Sequence, residues 1–151
     1  MNEPRSPARS RGLVLDGIPD AVSRCRDFTR RTLTEWGWPA PAGPGDGGFD
    51  DGAETEDVLL LVAEVVGNAC LHGGGPRSLV LRSTPEVLRI EVTDHSPVAP
   101  DFTLRSVPGR PGGHGLVIVR SLAKVWGSEA VAGGKCVWVE FAPVATRRVA
   151  P

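Results

Sequence analysis

The sequence has no excess of charge of either sign: 17 Lys and Arg stand against 18 Asp and Glu, for a formal net charge of -1. Nucleic acids and anionic membrane surfaces favour basic partners, so neither is expected to bind this chain. The longest apolar run, Val58–Ala63, is far shorter than the roughly 20 residues that cross a bilayer. We expect no export signal, since the segment Met1–Arg11 holds three arginines and no apolar stretch. The protein is therefore predicted to be cytoplasmic.

Cysteine is scarce, and no Cys-x-x-Cys pair occurs. The three cysteines, Cys25, Cys70 and Cys136, are widely spaced and odd in number, which argues against a disulfide framework. Each lies in an apolar segment, so all three are predicted to be buried thiols in a reducing compartment.

The remaining composition predicts one folded domain with long loops. Its 151 residues are 40% hydrophobic, and Gly (19) and Pro (14) are abundant without reaching the level typical of disorder. We expect a disordered tail at 1–11, a domain at 12–143 and a C-terminal tail at 144–151.

Hydrophobic periodicity and turn residues predict the elements of this domain. In chain order they are a strand at 13–16, a helix at 19–36 beginning at Pro19, a loop at 37–52, a helix from about Asp51 to His72, a hairpin of strands at 78–84 and 87–94, a loop at 95–113, a helix at 115–126, and strands at 129–132 and 135–142. Strands and helices do not alternate strictly. This order predicts an α+β fold, a two-layer sandwich with helices on one face of a mixed, mostly antiparallel sheet.

A polar stripe interrupts the second helix. Glu64, Asn68 and His72 are spaced four residues apart and therefore share one face of a helix that is otherwise rich in Val and Leu. The stripe is either the solvent-facing edge of the helix or a set of polar groups that a ligand or metal satisfies. Zinc is the poorer candidate, because the helix contains only one histidine.

Asp94 interrupts the hairpin. It continues the alternation of Leu88, Ile90 and Val92, so its carboxylate is predicted to point into the core at the end of a strand. Asp94 either caps the following turn or accepts a hydrogen bond from an exocyclic amine such as that of adenine.

A glycine cluster, Gly112–Leu116, leads into the third predicted helix. Such glycines allow main-chain N–H groups to approach a phosphate at a helix N-terminus, although the same cluster could be a flexible hinge. No Walker-type phosphate loop occurs in the sequence.

Taken together, these three features resemble a known family. EVVGNACLHG resembles the N box of the ATP-binding domain shared by gyrase, heat-shock chaperones, histidine kinases and MutL (the GHKL family), VTDHSP its first glycine box and GGHGLVIV its second. The size and the ending VWGSEAVAGGKCVWVEF are most similar to the anti-sigma-factor serine kinases of the RsbW/SpoIIAB family. The resemblance covers about Leu13–Ala142, although Ser96 and Pro97 depart from the usual glycines of the first box.

The resemblance implies a set of site residues. Asn68 would ligate Mg²⁺, Glu64 would be the general base, and Asp94 would accept the adenine amino group. The other nucleotide-binding residues would be His72, Ser96, Gly113, His114, Gly115 and Leu116. The segment 97–112 would form a lid, in which Arg105 and Arg110 either offset phosphate charge or are solvated.

The resemblance also implies a function. The protein would be an ATP- and Mg²⁺-dependent serine kinase and anti-sigma-type regulator. Its partners would be a sigma factor or a STAS-type anti-anti-sigma protein, and the protein could form a homodimer. The alternative is a nucleotide-gated module that binds a partner without phosphorylating it.

Overall fold

The computed structural model describes residues 9–39, 52–98 and 122–143. They form five strands and two helices: β1 (Arg9–Val14), α1 (Ala21–Glu35), α2 (Ala53–His72), β2 (Pro76–Ser83), β3 (Leu88–Asp94), β4 (Val125–Val131) and β5 (Gly134–Phe141). The strands make one sheet in the order β1-β2-β3-β5-β4, and every pairing among them is antiparallel. The predicted α+β sandwich is confirmed.

The core lies between the two helices and one face of the sheet. Strand β3 shows why, because its burial alternates along its whole length, with Leu88, Ile90, Val92 and Asp94 buried. The apolar residues that fill this layer come from α1, α2, β2, β3 and β5; they include Cys25, Leu33, Val58, Leu61, Val62, Val65, Val66, Leu79, Leu81, Val137, Val139 and Phe141. The other face of the sheet is polar, with Glu91 between Arg82 and Arg89 at 3.0 and 2.8 Å.

Helix α2 ends where the sequence predicts. His72 is its last residue, and Gly74 and Gly75 follow with φ angles of 69° and 103°, a left-handed backbone that glycine adopts without steric cost. The start differs slightly from the prediction, because Gly52 occupies the N-cap position and makes no side-chain cap. Asp51 lies outside the described residues.

Three sequence predictions need correction. Helix α1 begins at Ala21 rather than Pro19, because Asp20 precedes it in a left-handed conformation with φ 56°. Strand β1 begins at Arg9, so residues 9–11 pair with β2 instead of belonging to the predicted tail. Val125 and Trp126 belong to β4 and pair with β5, which contradicts the predicted helix end at Trp126. In the described part of the chain, no helix is long and apolar enough to span a membrane.

Candidate functional site

Asp94 is buried at the end of β3, as its alternation predicts. Its side chain is 2% exposed. One carboxylate oxygen, Oδ1, accepts the backbone N–H of Ser96 at 2.9 Å. This bond closes the turn after the strand, so the turn-capping interpretation is correct for one oxygen of Asp94 and leaves the role of the other open.

The other oxygen of Asp94 is paired with a lysine that the sequence analysis did not single out. Lys135 Nζ lies 2.9 Å from Asp94 Oδ2, and the lysine side chain is only 6% exposed. The two residues are directly opposite in the register of β3 and β5. The alternation of Lys135 with Val137 and Val139 indicates that the lysine side chain points into the core. It identifies Asp94 as the partner of Lys135 only when β3 and β5 are known to pair.

Two glycines allow the chain to pack closely around Asp94. A Cβ atom at Gly73, which follows α2, would lie 2.5 Å from Asp94 Oδ2, and one at Gly134 would overlap the main-chain carbonyl of Asp94. The backbone N–H of His95 donates to Gly73 O at 2.9 Å and so ties the end of β3 to the end of α2. The carboxylate is therefore held against the C-terminal end of the helix that contains the polar stripe.

The polar stripe lies beside the buried face of α2. Glu64 and Asn68 are half-buried and His72 is exposed. Among the described residues, the side chains of Glu64 and Asn68 make no hydrogen bond or ion pair. At a rise of about 1.5 Å per residue, Asn68 and Glu64 lie roughly 7 and 13 Å along the helix from Gly73. The stripe therefore leads away from Asp94 along a single helix face.

Asp57 extends this stripe toward the start of α2, because it lies two turns before Glu64. Burial, assisted by the neighbouring carboxylates of Glu54 and Glu56, raises the pKa of Asp57. The carboxylate of Asp57 is thus harder to ionise than a solvated one.

Asn68 and Glu64 provide the oxygen donors that Mg²⁺ prefers. Mg²⁺ commonly binds one or two protein oxygens together with phosphate and water oxygens, so these side chains fit a metal that arrives with a nucleotide. In ranges 9–39, 52–98 and 122–143, no group of three or more His, Cys, Asp or Glu side chains could hold a metal by itself.

Ser96 is the last predicted site residue along the chain that the structure describes. Ser96 is half-buried and acts in the turn: its hydroxyl accepts the N–H of Val98 at 3.2 Å. The glycine-led segment and the lid arginines lie outside the described residues; these are Gly113, His114, Gly115, Leu116, Arg105 and Arg110.

The cysteines contribute nothing to this site. Cys25 and Cys136 are buried as predicted, whereas Cys70 is exposed, which contradicts the prediction for that residue. Helix α2 is apolar on almost every side, so the apolar residues that flank Cys70 in the sequence do not show which face of the helix is buried. Burial, followed by the nearby Cys70 thiol, raises the pKa of Cys25 to about 12.

A separate cavity of about 500 Å³ lies away from these residues. It is lined by Val14, Asp16, Arg77, Ser78, Thr93, Val131 and Ala132, and none of the predicted site residues is among them. Thr93 alternates with Asp94 along β3, so this cavity opens on the opposite face of the sheet.

Comparison with known proteins bears on the same residues. A family model described as the histidine kinase-like ATPase domain matches residues 18–141, which include both Asp94 and the polar stripe. A search of curated proteins gives no match.

Proposed function

Because the chain belongs to the histidine kinase-like ATPase family, we propose that it binds ATP in the site formed by Asp94 and α2. The observation that supports this most is a buried carboxylate at a strand end, held against the helix on which Glu64 and Asn68 lack polar partners among the described residues. In the proposed complex Asp94 accepts the amino group of adenine. The phosphates extend along the helix toward Asn68. By the resemblance in sequence, the glycine-led segment 113–116 would also bind them.

Asn68 would hold Mg²⁺ in this complex. Its amide oxygen is one turn from Glu64, so the two side chains can reach the same phosphate end of the nucleotide. The metal supplies charge neutralisation for the phosphate oxygens. His72, at the exposed end of the stripe, and Ser96, in the turn after Asp94, would border the nucleotide.

The finer proposal is that the protein is a serine kinase and anti-sigma-type regulator, similar to the RsbW/SpoIIAB family. Glu64 would accept the proton of a serine hydroxyl on an antagonist protein as that oxygen attacks the γ-phosphorus and ADP leaves. Phosphoryl transfer depends mainly on positioning and charge stabilisation, so few protein groups are required. The antagonist would be a STAS-type protein, and the second partner would be a sigma factor. The protein would act in the cytoplasm and would form a homodimer.

Two substitutions separate nucleotide binding from chemistry. Glu64→Gln keeps the size and hydrogen bonding of the side chain but removes the base, so ATP affinity should persist while transfer falls about 10²–10⁴-fold. Asn68→Ala should lose Mg²⁺-dependent binding and transfer together. Glu56→Gln makes the same chemical change at an exposed position of α2 and serves as the matched control.

Calorimetry with Mg-ATP and single-turnover transfer to antagonist proteins recovered from native lysate measure the two properties. Wild-type transfer rates in Glu64→Gln would reject the base role. ATP binding without transfer by the wild-type protein would favour the alternative, a nucleotide-gated module that binds its partner without phosphorylating it.

A further inference from the structure

Both oxygens of the proposed adenine acceptor have donors within the protein. Ser96 N–H donates to Asp94 Oδ1 and Lys135 Nζ to Asp94 Oδ2, each at 2.9 Å. The lysine and aspartate side chains are 6% and 2% exposed, so solvent contributes little to either group. A base that is to bond Asp94 must therefore approach a carboxylate that is already paired.

Little space is left beside Oδ2 on the side of Gly73. Gly73 lies on that side, so close that even one added Cβ would stand 2.5 Å from Oδ2. The hydrogen bond from Ser96 N–H to Asp94 Oδ1 is part of the turn, so breaking it would change the backbone at the end of β3. Of the two donors, the lysine side chain is the one that can move, because its four-carbon stem is flexible.

A second acceptor lies within reach of the lysine. Lys135 Nζ is 3.4 Å from the main-chain carbonyl oxygen of Ser96. An ammonium group has three donors, so Lys135 can keep this carbonyl when it leaves Oδ2. The ion pair can thus open without leaving the ammonium group with no hydrogen-bond partner.

We propose that Lys135 sets the nucleotide affinity of the site by competing with the base for Asp94. The inference rests on the proposed function, since it assumes that Asp94 receives the adenine amino group. The ammonium group holds Oδ2 when no base is bound. Binding replaces this ion pair with a hydrogen bond from an uncharged donor, so each nucleotide bound must first displace the lysine.

Lys135→Met tests the competition directly. Asp94 then lacks its charged partner, and the adenine amino group supplies the missing donor on binding. We expect a lower melting temperature without nucleotide, a larger rise on adding Mg-ATP, and an ATP dissociation constant about 10- to 100-fold below that of wild type, the worth of a hydrogen bond to a charged group.

A second variant and a control complete the experiment. Lys135→Gln keeps a neutral donor near Asp94, so this variant should fold even if Lys135→Met does not. Its ATP affinity should lie between those of wild type and Lys135→Met. Lys124→Met removes the only other lysine of the chain, at an exposed position, and should leave ATP affinity unchanged. Affinities for ATP and GTP are measured by calorimetry on all four proteins.

The proposal is overturned if folded Lys135→Met or Lys135→Gln binds ATP no more tightly than wild type does, or if Lys124→Met tightens binding equally. It is also overturned if wild type binds GTP and Lys135→Met loses that binding, because Lys135 would then stay and donate to the carbonyl oxygen of the base. A wild type that binds ATP in these experiments leaves the proposed function standing in each case. If none of the four proteins binds ATP, the proposed function fails and the competition fails with it.

Discussion

Replacing Asp94 with asparagine should destabilise the fold even without nucleotide. The change keeps an oxygen that can accept the Ser96 N–H, but it leaves the Lys135 ammonium group without a counter-charge. Since the two side chains are 2% and 6% exposed, this is a buried pair rather than a surface pair. Removing one partner of a buried pair costs about 3–5 kcal/mol, because the remaining charge is neither solvated nor compensated.

Urea unfolding measures this cost. With a slope of about 2 kcal/mol per molar, a loss of about 4 kcal/mol moves the midpoint down by roughly 2 M, provided that the slope itself is unchanged. Asp16→Asn is the matched control. Asp16 Oδ1 lies 2.8 Å from His95 Nε2, but those side chains are 60% and 41% exposed, so their contact should contribute no more than about 1 kcal/mol.

The double variant Asp94→Asn/Lys135→Met removes both charges and should recover most of the lost stability, since no unpaired charge then remains in the core. Two results would refute the reasoning. One is Asp94→Asn unfolding within about 1 kcal/mol of wild type, and the other is a double variant less stable than Asp94→Asn alone.

Three further predictions concern packing, titration and thiol exposure. Gly73→Ala should lower the free energy of unfolding by about 1–3 kcal/mol, because the added Cβ would overpack against Asp94. Gly67→Ala in α2 is the control: its Cβ would meet nothing within contact distance, so the free energy of unfolding should stay the same or rise by up to about 1 kcal/mol. Equal urea midpoints for the two variants would contradict the close approach of Gly73 to Asp94. The raised pKa of Asp57 means that the folded state binds this proton more tightly than the unfolded chain does, so its contribution to stability falls as pH rises from 3.8 through the raised pKa. The stability of Asp57→Asn relative to wild type should therefore increase over that pH range, and a difference that stays constant with pH would exclude the shift. Cys70 should react with a thiol reagent in the native protein and Cys25 only after unfolding, because Cys25 is buried and its pKa is raised to about 12; native labelling of Cys25, located by mass spectrometry, would contradict its burial.

The local part of the site could be predicted from the sequence because it depends on periodicity. The alternation along β3 predicts the inward direction of Asp94, and the four-residue spacing predicts the shared face of Glu64 and Asn68. The glycines after His72 predict the end of α2. Each of these properties is fixed by residues within one element.

The rest depends on contacts between distant elements. The pairing of Lys135 with Asp94 requires the register of β3 against β5, which no short segment specifies. The amphipathic pattern of Gly115–Trp126 predicts a helix, yet pairing with β5 places Trp126 in a strand. The apolar composition of α2 predicts that Cys70 is buried, but the exposed Leu60 and Leu71 show that apolar residues also cover the outer side of this helix.

Calorimetric titration of Mg-ATP into the wild-type protein, Lys135→Met and Asp94→Asn/Lys135→Met tests the central claim, that the Asp94 pocket binds the base of ATP. The two variants both lack the competing lysine and differ only in the carboxylate acceptor. The account predicts saturable binding to wild type, and binding to the double variant at least about tenfold weaker than to Lys135→Met. No binding to wild type at millimolar ATP, or equal affinity for the two variants, would contradict it.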